Sequence, residues 1–161
     1  MSKSYNQRVA QAINRFLKDD DWNYSFDEDN GTFTFNLSIQ AKIKSLHYKV
    51  RVRDDDYLVY AVSNISADED DAEQMQEMAE FICRANYGLV DGNFELDFRD
   101  GELRYKCFED CEDGIIPTDA IIRNSIAIPA SMFRRYTPGI VGILFNSMSA
   151  SDAIDLCEDN N

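Results

Sequence analysis

The segment Asn93-Phe-Glu-Leu-Asp-Phe-Arg-Asp-Gly-Glu-Leu-Arg-Tyr-Lys-Cys107 constrains the fold of this chain more than any other. Asp100-Gly101 has the chemistry of a tight hairpin turn, and the residues on both sides alternate polar with apolar. Read as a two-residue turn, it sets Arg99 opposite Glu102, Phe98 opposite Leu103, Asp97 opposite Arg104, Leu96 opposite Tyr105 and Glu95 opposite Lys106. Every polar pair is then opposite in charge and every alternate pair is apolar. Each pair contributes only about 0.2–1 kcal/mol, but a slip of one residue misplaces both faces at once. A chain carrying such a hairpin must supply an antiparallel sheet with one buried face.

The rest of the sequence supplies it. Phe33, Phe35, Leu37 and Ile39 alternate with Thr32, Thr34, Asn36 and Ser38, directly after the turn dipeptide Asn30-Gly31. Trp22, Tyr24 and Phe26 alternate before that turn. Leu46, Tyr48, Val50 and Val52 alternate with His47, Lys49, Arg51 and Arg53, and Tyr57 to Val62 follows beyond Asp54-Asp55-Asp56. These four runs predict an antiparallel meander. Helical spacing marks Val9, Ile13, Phe16 and Leu17, ending near residue 19, where acidic side chains oppose the helix dipole. Met75, Met78, Ala79 and Ile82 mark a second helix over 67–86, begun by the capping box Ser66-Ala-Asp-Glu69. Ile122, Ile126, Phe133, Tyr136, Ile140 and Leu144 continue a third stripe. Pro129 and Pro138 predict a break and a kink in it, and Ser149 to Asp152 can cap a short last helix.

The predicted architecture is α+β: one antiparallel sheet of about six strands with helices on one face, in the order α-β-β-β-β-α-β-β-α. Its core comprises Phe16, Phe35, Leu37, Val50, Ile82, Phe94, Leu96, Leu103, Tyr105 and Phe133. The 161 residues, 44% hydrophobic, suit a single domain over 1–161.

Charge limits the partners. The 16 Lys+Arg against 30 Asp+Glu leave −14, a field that repels phosphate backbones and anionic lipid. Neither nucleic acid nor membrane is expected as a partner. No apolar run approaches a membrane span and the first residues lack the apolar core of a signal peptide, so a cytoplasmic protein is expected. The imbalance belongs to the second half: residues 1–66 hold 9 cations and 9 anions, residues 67–161 hold 7 and 21.

The usual signatures of catalysis are missing. The single histidine, His47, lies among Lys49, Arg51 and Arg53 with no nucleophile beside it in sequence. Cys83, Cys107, Cys111 and Cys157 lack the paired spacing of a zinc site and read as reduced thiols, the role of Cys107 and Cys111 staying open. The acidic runs at 27–29, 54–56 and 68–71 fit turns and caps better than a calcium loop. No phosphate-binding loop, nucleophile elbow or HExxH motif occurs. No catalytic residue, cofactor or metal is therefore expected. The expected class is a non-enzymatic protein-binding or regulatory protein, against an enzyme with an unrecognised carboxylate site or a nucleic-acid-binding module.

Asn86-Tyr-Gly, then Gly92-Asn-Phe-Glu-Leu-Asp97 and Asp100-Gly-Glu-Leu-Arg-Tyr105, followed by Tyr136-Thr-Pro138 and Ser-Asp-Ala-Ile154, resemble the YbjN-like family of bacterial proteins, described as sensory transduction regulators. The resemblance is strongest over 66–158. It implies a fold similar to type III secretion chaperones, subunits that commonly dimerise, and no catalytic residues to carry over.

One surface is expected to face a partner. With a two-residue turn at Asp55-Asp56, Arg53 faces Leu58, Arg51 faces Tyr60 and Lys49 faces Val62; with a three-residue loop, the same cations face Tyr57, Val59 and Ala61. Either register interleaves apolar side chains with cations on the face away from the core. A helix or terminus of the same chain, a second subunit or another protein must cover such a face. The candidate contact comprises Arg51, Arg53, Leu58 and Tyr60, in a homodimer or with an unidentified protein partner.

Overall fold

A computed structural model describes residues 4–159. The order is α1 (Gln7–Asp19), β1 (Ser25–Asp27), β2 (Thr32–Ser38), β3 (Ser45–Val52), β4 (Asp56–Ser63), α2 (Ala72–Asn86), β5 (Asn93–Leu96), β6 (Leu103–Asp110), α3 (Asp119–Asn146) and α4 (Ala150–Glu158). The six strands form one antiparallel sheet in the order β1-β2-β3-β4-β6-β5, so α2 carries the chain across and β6 inserts between β4 and β5. This is the expected α+β arrangement.

Strand phase decides which face is buried. Phe33, Phe35, Tyr48, Val50, Val52, Tyr57, Val59, Ala61, Leu103, Tyr105 and Cys107 project to one side and are buried. The helices supply the opposing layer: Val9, Ile13, Phe16 and Leu17 from α1, Met75, Met78, Phe81 and Ile82 from α2, Ile122, Ile126, Phe133, Tyr136 and Ile140 from α3. Eight of the ten expected core residues are buried; Leu37 and Leu96, at strand ends, are half-buried. Two tyrosines tie the layers together with hydrogen bonds. Tyr48 donates its hydroxyl to the Ile126 carbonyl at 2.7 Å, and the Tyr57 hydroxyl lies 3.1 Å from Ser125 Oγ.

The prolines do not break α3, which runs for 28 residues through both. Each proline removes one N–H from the i→i−4 ladder, leaving the Ser125 and Arg134 carbonyls without a helical donor, while hydroxyls bond other carbonyls of the helix. Ser125 Oγ donates to the Ile122 carbonyl, Tyr48 reaches Ile126, and Thr137 Oγ1 donates to the Phe133 carbonyl. α2 begins five residues later than the capping box suggests, because Asp71 is the N-cap and accepts the Gln74 N–H. Asp68 is instead engaged in the loop, accepting the Asp70 N–H.

Both glycine-containing hairpins close with four-residue loops. Asp27 pairs with Thr32, and the Gly31 N–H returns to the Asp27 carbonyl at 2.9 Å. Asp97 donates its N–H to the Glu102 carbonyl, and the Gly101 N–H returns to the Asp97 carbonyl at 2.8 Å. In each loop the first aspartate accepts the backbone N–H two residues on, and the glycine takes positive φ, 70° and 73°. The β5–β6 register is consequently displaced by two residues from the sequence expectation: Leu96 faces Leu103, Glu95 faces Arg104, Phe94 faces Tyr105 and Asn93 faces Lys106. An even displacement keeps every side chain on its expected face but leaves Phe98 in the loop and exposed. The outer edge of β5 is closed by Asn86, which accepts the Phe94 N–H and donates to the Phe94 carbonyl.

Candidate functional site

All of the helical layer lies on the inner side of the sheet, and the outer side is open. Cross-strand rows define it. One row reads Asn36, His47, Val62, Arg104, Glu95; the next Thr34, Lys49, Tyr60, Lys106, Asn93; the third Thr32, Arg51, Leu58, Phe108. Leu58, Tyr60 and Val62 on the central strand β4 thus form an apolar strip with Phe108 beside it. Lys49 and Arg51 flank the strip on β3, Arg104 and Lys106 on β6. Phe108 is 53% exposed, and His47, Lys49 and Arg51 are exposed as well. No described element covers this face, which removes cover by a helix of the described chain from the alternatives.

The structure brings Arg51, Leu58 and Tyr60 together and sets Arg53 apart. The β3–β4 turn is Asp54-Asp55, not Asp55-Asp56 or a three-residue loop, so Arg51 faces Leu58 and Lys49 faces Tyr60. Arg53 closes the hairpin: its N–H donates to the Asp56 carbonyl at 2.8 Å, and its guanidinium holds the Asp56 carboxylate through two bonds of 2.6 and 2.7 Å. This fork favours the tighter turn and raises the guanidinium pKa further, chiefly through the hydrogen bonds to Asp56.

Arg104 and Lys106 complete the site, and no local pattern could have placed them beside Tyr60. Their pairing with β4 is a long-range crossover, whereas the sequence reading used them only against β5. The Arg104 guanidinium sits 4.4 Å over the Tyr60 ring and donates to Glu95 at 2.5 Å; Lys106 Nζ donates to the same carboxylate at 2.6 Å. Burial pushes the Glu95 carboxyl up, but the bonds from Lys106 and Arg104 outweigh that and hold it below the ordinary range. Lys49 and Arg51 have no carboxylate partner among the described residues. Arg53, Arg104 and Lys106 share the face with Asp56, Glu95 and Asp110, and Asp97 and Glu102 lie beside Arg104, so the unbalanced positive charge is that of Lys49 and Arg51 on β3. That edge of the face is locally positive in a chain whose net charge is −14.

The other candidates are dispersed. His47 Nδ1 lies 2.9 Å from Asn36 Oδ1 on the exposed face. The four thiols are free; Cys83 is exposed and the other three are buried. Burial first, then nearby carboxylates, pushes Cys107 up to about 12 and Cys111 up to about 11, away from nucleophilic use. Burial and then Asp91 push the Glu109 carboxyl up. Among the described residues, no helix is long and apolar enough to cross a membrane, and no group of three His, Cys, Asp or Glu side chains is placed to share an ion.

Comparison of the chain with protein-family models, with curated proteins and with solved structures finds no match.

Proposed function

We propose that this is a non-enzymatic protein-binding or regulatory protein that receives an acidic protein surface on its open sheet face. The observation that carries the reading is the strip Leu58, Tyr60, Val62 and Phe108, uncovered and held between Lys49 and Arg51 on one side and Arg104 and Lys106 on the other. Apolar area supplies the driving force, and Lys49 and Arg51, unpaired among the described residues, select a carboxylate-rich partner and speed its encounter. The resemblance to YbjN-like proteins, with their chaperone-like fold, supports the same class.

A symmetric homodimer through this face would set like charge against like charge, so a second copy could serve only by presenting its acidic second half; a different, acidic protein is the occupant this reading takes. A fluorescein-labelled peptide, acetyl-Glu-Val-Glu-Tyr-Glu-Val-Glu-amide, tests the chemistry by anisotropy. The wild type binds it in a salt-sensitive manner, and the double variant Arg51→Glu, Tyr60→Ala loses at least about tenfold in affinity, the scale of interface hot spots. Equal binding by wild type and variant refutes the reading. Light scattering that shows a dimer dissolved by the same two changes makes the second copy the occupant. Salt-sensitive retention on immobilised single-stranded DNA makes it a nucleic acid instead.

The competing class, an enzyme working through a carboxylate, has one group in its favour: Glu109, whose carboxyl is pushed up by burial and then by Asp91. Turnover of a small substrate that Glu109→Gln abolishes without unfolding the protein would select that class.

A further inference from the structure

On the opposite side of the molecule, among the helices, lies a cleft of about 230 Å³ between the end of α1, the chain leading to β1 and the middle of α3. Its floor is Phe16, Trp22, Leu37, Ile126 and Ala130. The slot lies where α3 presents the small side chains Ala127, Ala130 and Ser131 beside Ile126, while Trp22 stands across from them. The indole packs edge-on against Phe35, 5.0 Å between centroids, and its Nε1–H donates to Asp20 at 3.0 Å. Trp22 is thus fixed in place with part of its apolar surface unused.

The rim carries Arg123 and Arg134, eleven residues apart on α3, about 16 Å along the axis. Both are exposed, and neither has a carboxylate partner among the described residues, in a chain where acids outnumber bases 30 to 16. The Arg123 guanidinium lies 5.4 Å over the Phe16 ring, at the mouth of the cleft. Asp20, the one carboxylate on the rim, is engaged by the indole.

We propose that this cleft is a second binding site, which takes one aromatic or branched apolar side chain from an acidic peptide segment, with the flanking carboxylates on Arg123 and Arg134. Size selects a peptide anchor over a free small molecule: the cleft is smaller than the roughly 300–1,000 Å³ of pockets that enclose a drug-sized ligand, yet large enough for one side chain. The two arginines are spaced for charges on either side of that anchor. This inference does not rest on the open sheet face, and its readout is separate, because Trp22 is the only tryptophan in the chain.

The probe is acetyl-Asp-Glu-Phe-Leu-Glu-Asp-amide, followed through Trp22 emission. The proposal predicts a saturable shift, weakened at least about tenfold by Arg134→Glu or by Ala127→Phe, which fills the slot from an exposed position. Replacing the peptide's Phe by Ala, or its acids by Lys, weakens it similarly. The Arg51→Glu, Tyr60→Ala variant gives the wild-type response, so failure here is distinguishable from failure of the sheet-face reading. The absence of any shift, or a shift indifferent to both cleft variants, overturns the proposal. Sodium octanoate binding as tightly as the peptide also overturns it, in favour of a small amphipathic acid.

Discussion

Gly101→Ala is the substitution whose cost the structure specifies most fully. Gly101 has φ of +73°, and a Cβ built there would lie 2.0 Å from the Ala67 carbonyl oxygen and 2.7 Å from its carbon. Left-handed backbone costs a non-glycine residue about 1–2 kcal/mol. The clash is with backbone, so the 66–68 segment must move away. That breaks the 2.9 Å bond from the Ala67 N–H to the Gly101 carbonyl, worth about 1 kcal/mol net, and uncovers the buried Ala67. Together these reach about 3 kcal/mol, or about 6–12 °C in Tm for a chain of this length. Gly114→Ala is the matched control: φ is +76° and nothing lies within 4 Å of the added Cβ, so only the conformational cost of about 1 kcal/mol applies. Urea unfolding of both variants, followed by circular dichroism and Trp22 fluorescence, measures the difference. Equal losses for the two would refute the docking of the β5–β6 loop on Ala67.

Three further outcomes follow from the packing. Glu95 is held below its ordinary pKa in the folded state, so its contribution is complete above the unfolded-state value, about 4.3, and is lost as pH falls through the lower folded value. The stability gap between wild type and Glu95→Gln is therefore full at neutral pH and closes in acid; a gap independent of pH contradicts the pairing. With a thiol reagent at pH 8, one thiol reacts quickly in the native protein and Cys83→Ser removes it, while Cys107, Cys111 and Cys157 react only on unfolding; a second fast thiol contradicts their burial. Tyr57→Phe costs about 1 kcal/mol, and a double-mutant cycle with Ser125→Ala shows coupling between the two; strict additivity refutes the bond between β4 and α3.

Periodicity made the sheet, its buried face and most of the core legible, because the phase of an alternating run survives any even error in register. Loop length was less legible. Asn30-Gly31 and Asp100-Gly101 look like two-residue turns, but the aspartate three residues before each dipeptide's first member turns the chain earlier through its own side chain, and the glycine supplies the left-handed residue that ends a four-residue loop. Pro129 did not end the helix as its chemistry suggests: a proline removes a single ladder bond, and the buried stripe from Ile122 to Ile143 packs on through both prolines, a tertiary contribution that the local pattern does not weigh. At the sheet face, Arg51, Leu58 and Tyr60 were readable from one hairpin. Arg104, Lys106 and Phe108 depend on β6 inserting beside β4, a long-range pairing that the local patterns used to read the strands do not encode.

The central claim is that another protein occupies the open sheet face, and site-directed photo-cross-linking in the native host tests it most directly. Benzoylphenylalanine in place of Leu58 samples the strip, and the same group at the exposed Asp152 on α4 is the control. The account predicts an adduct from position 58 with one identifiable acidic protein, absent from position 152 and suppressed by adding Arg51→Glu. No adduct from position 58, an adduct indifferent to Arg51→Glu, or an adduct at twice the 18.5 kDa of this chain would contradict it.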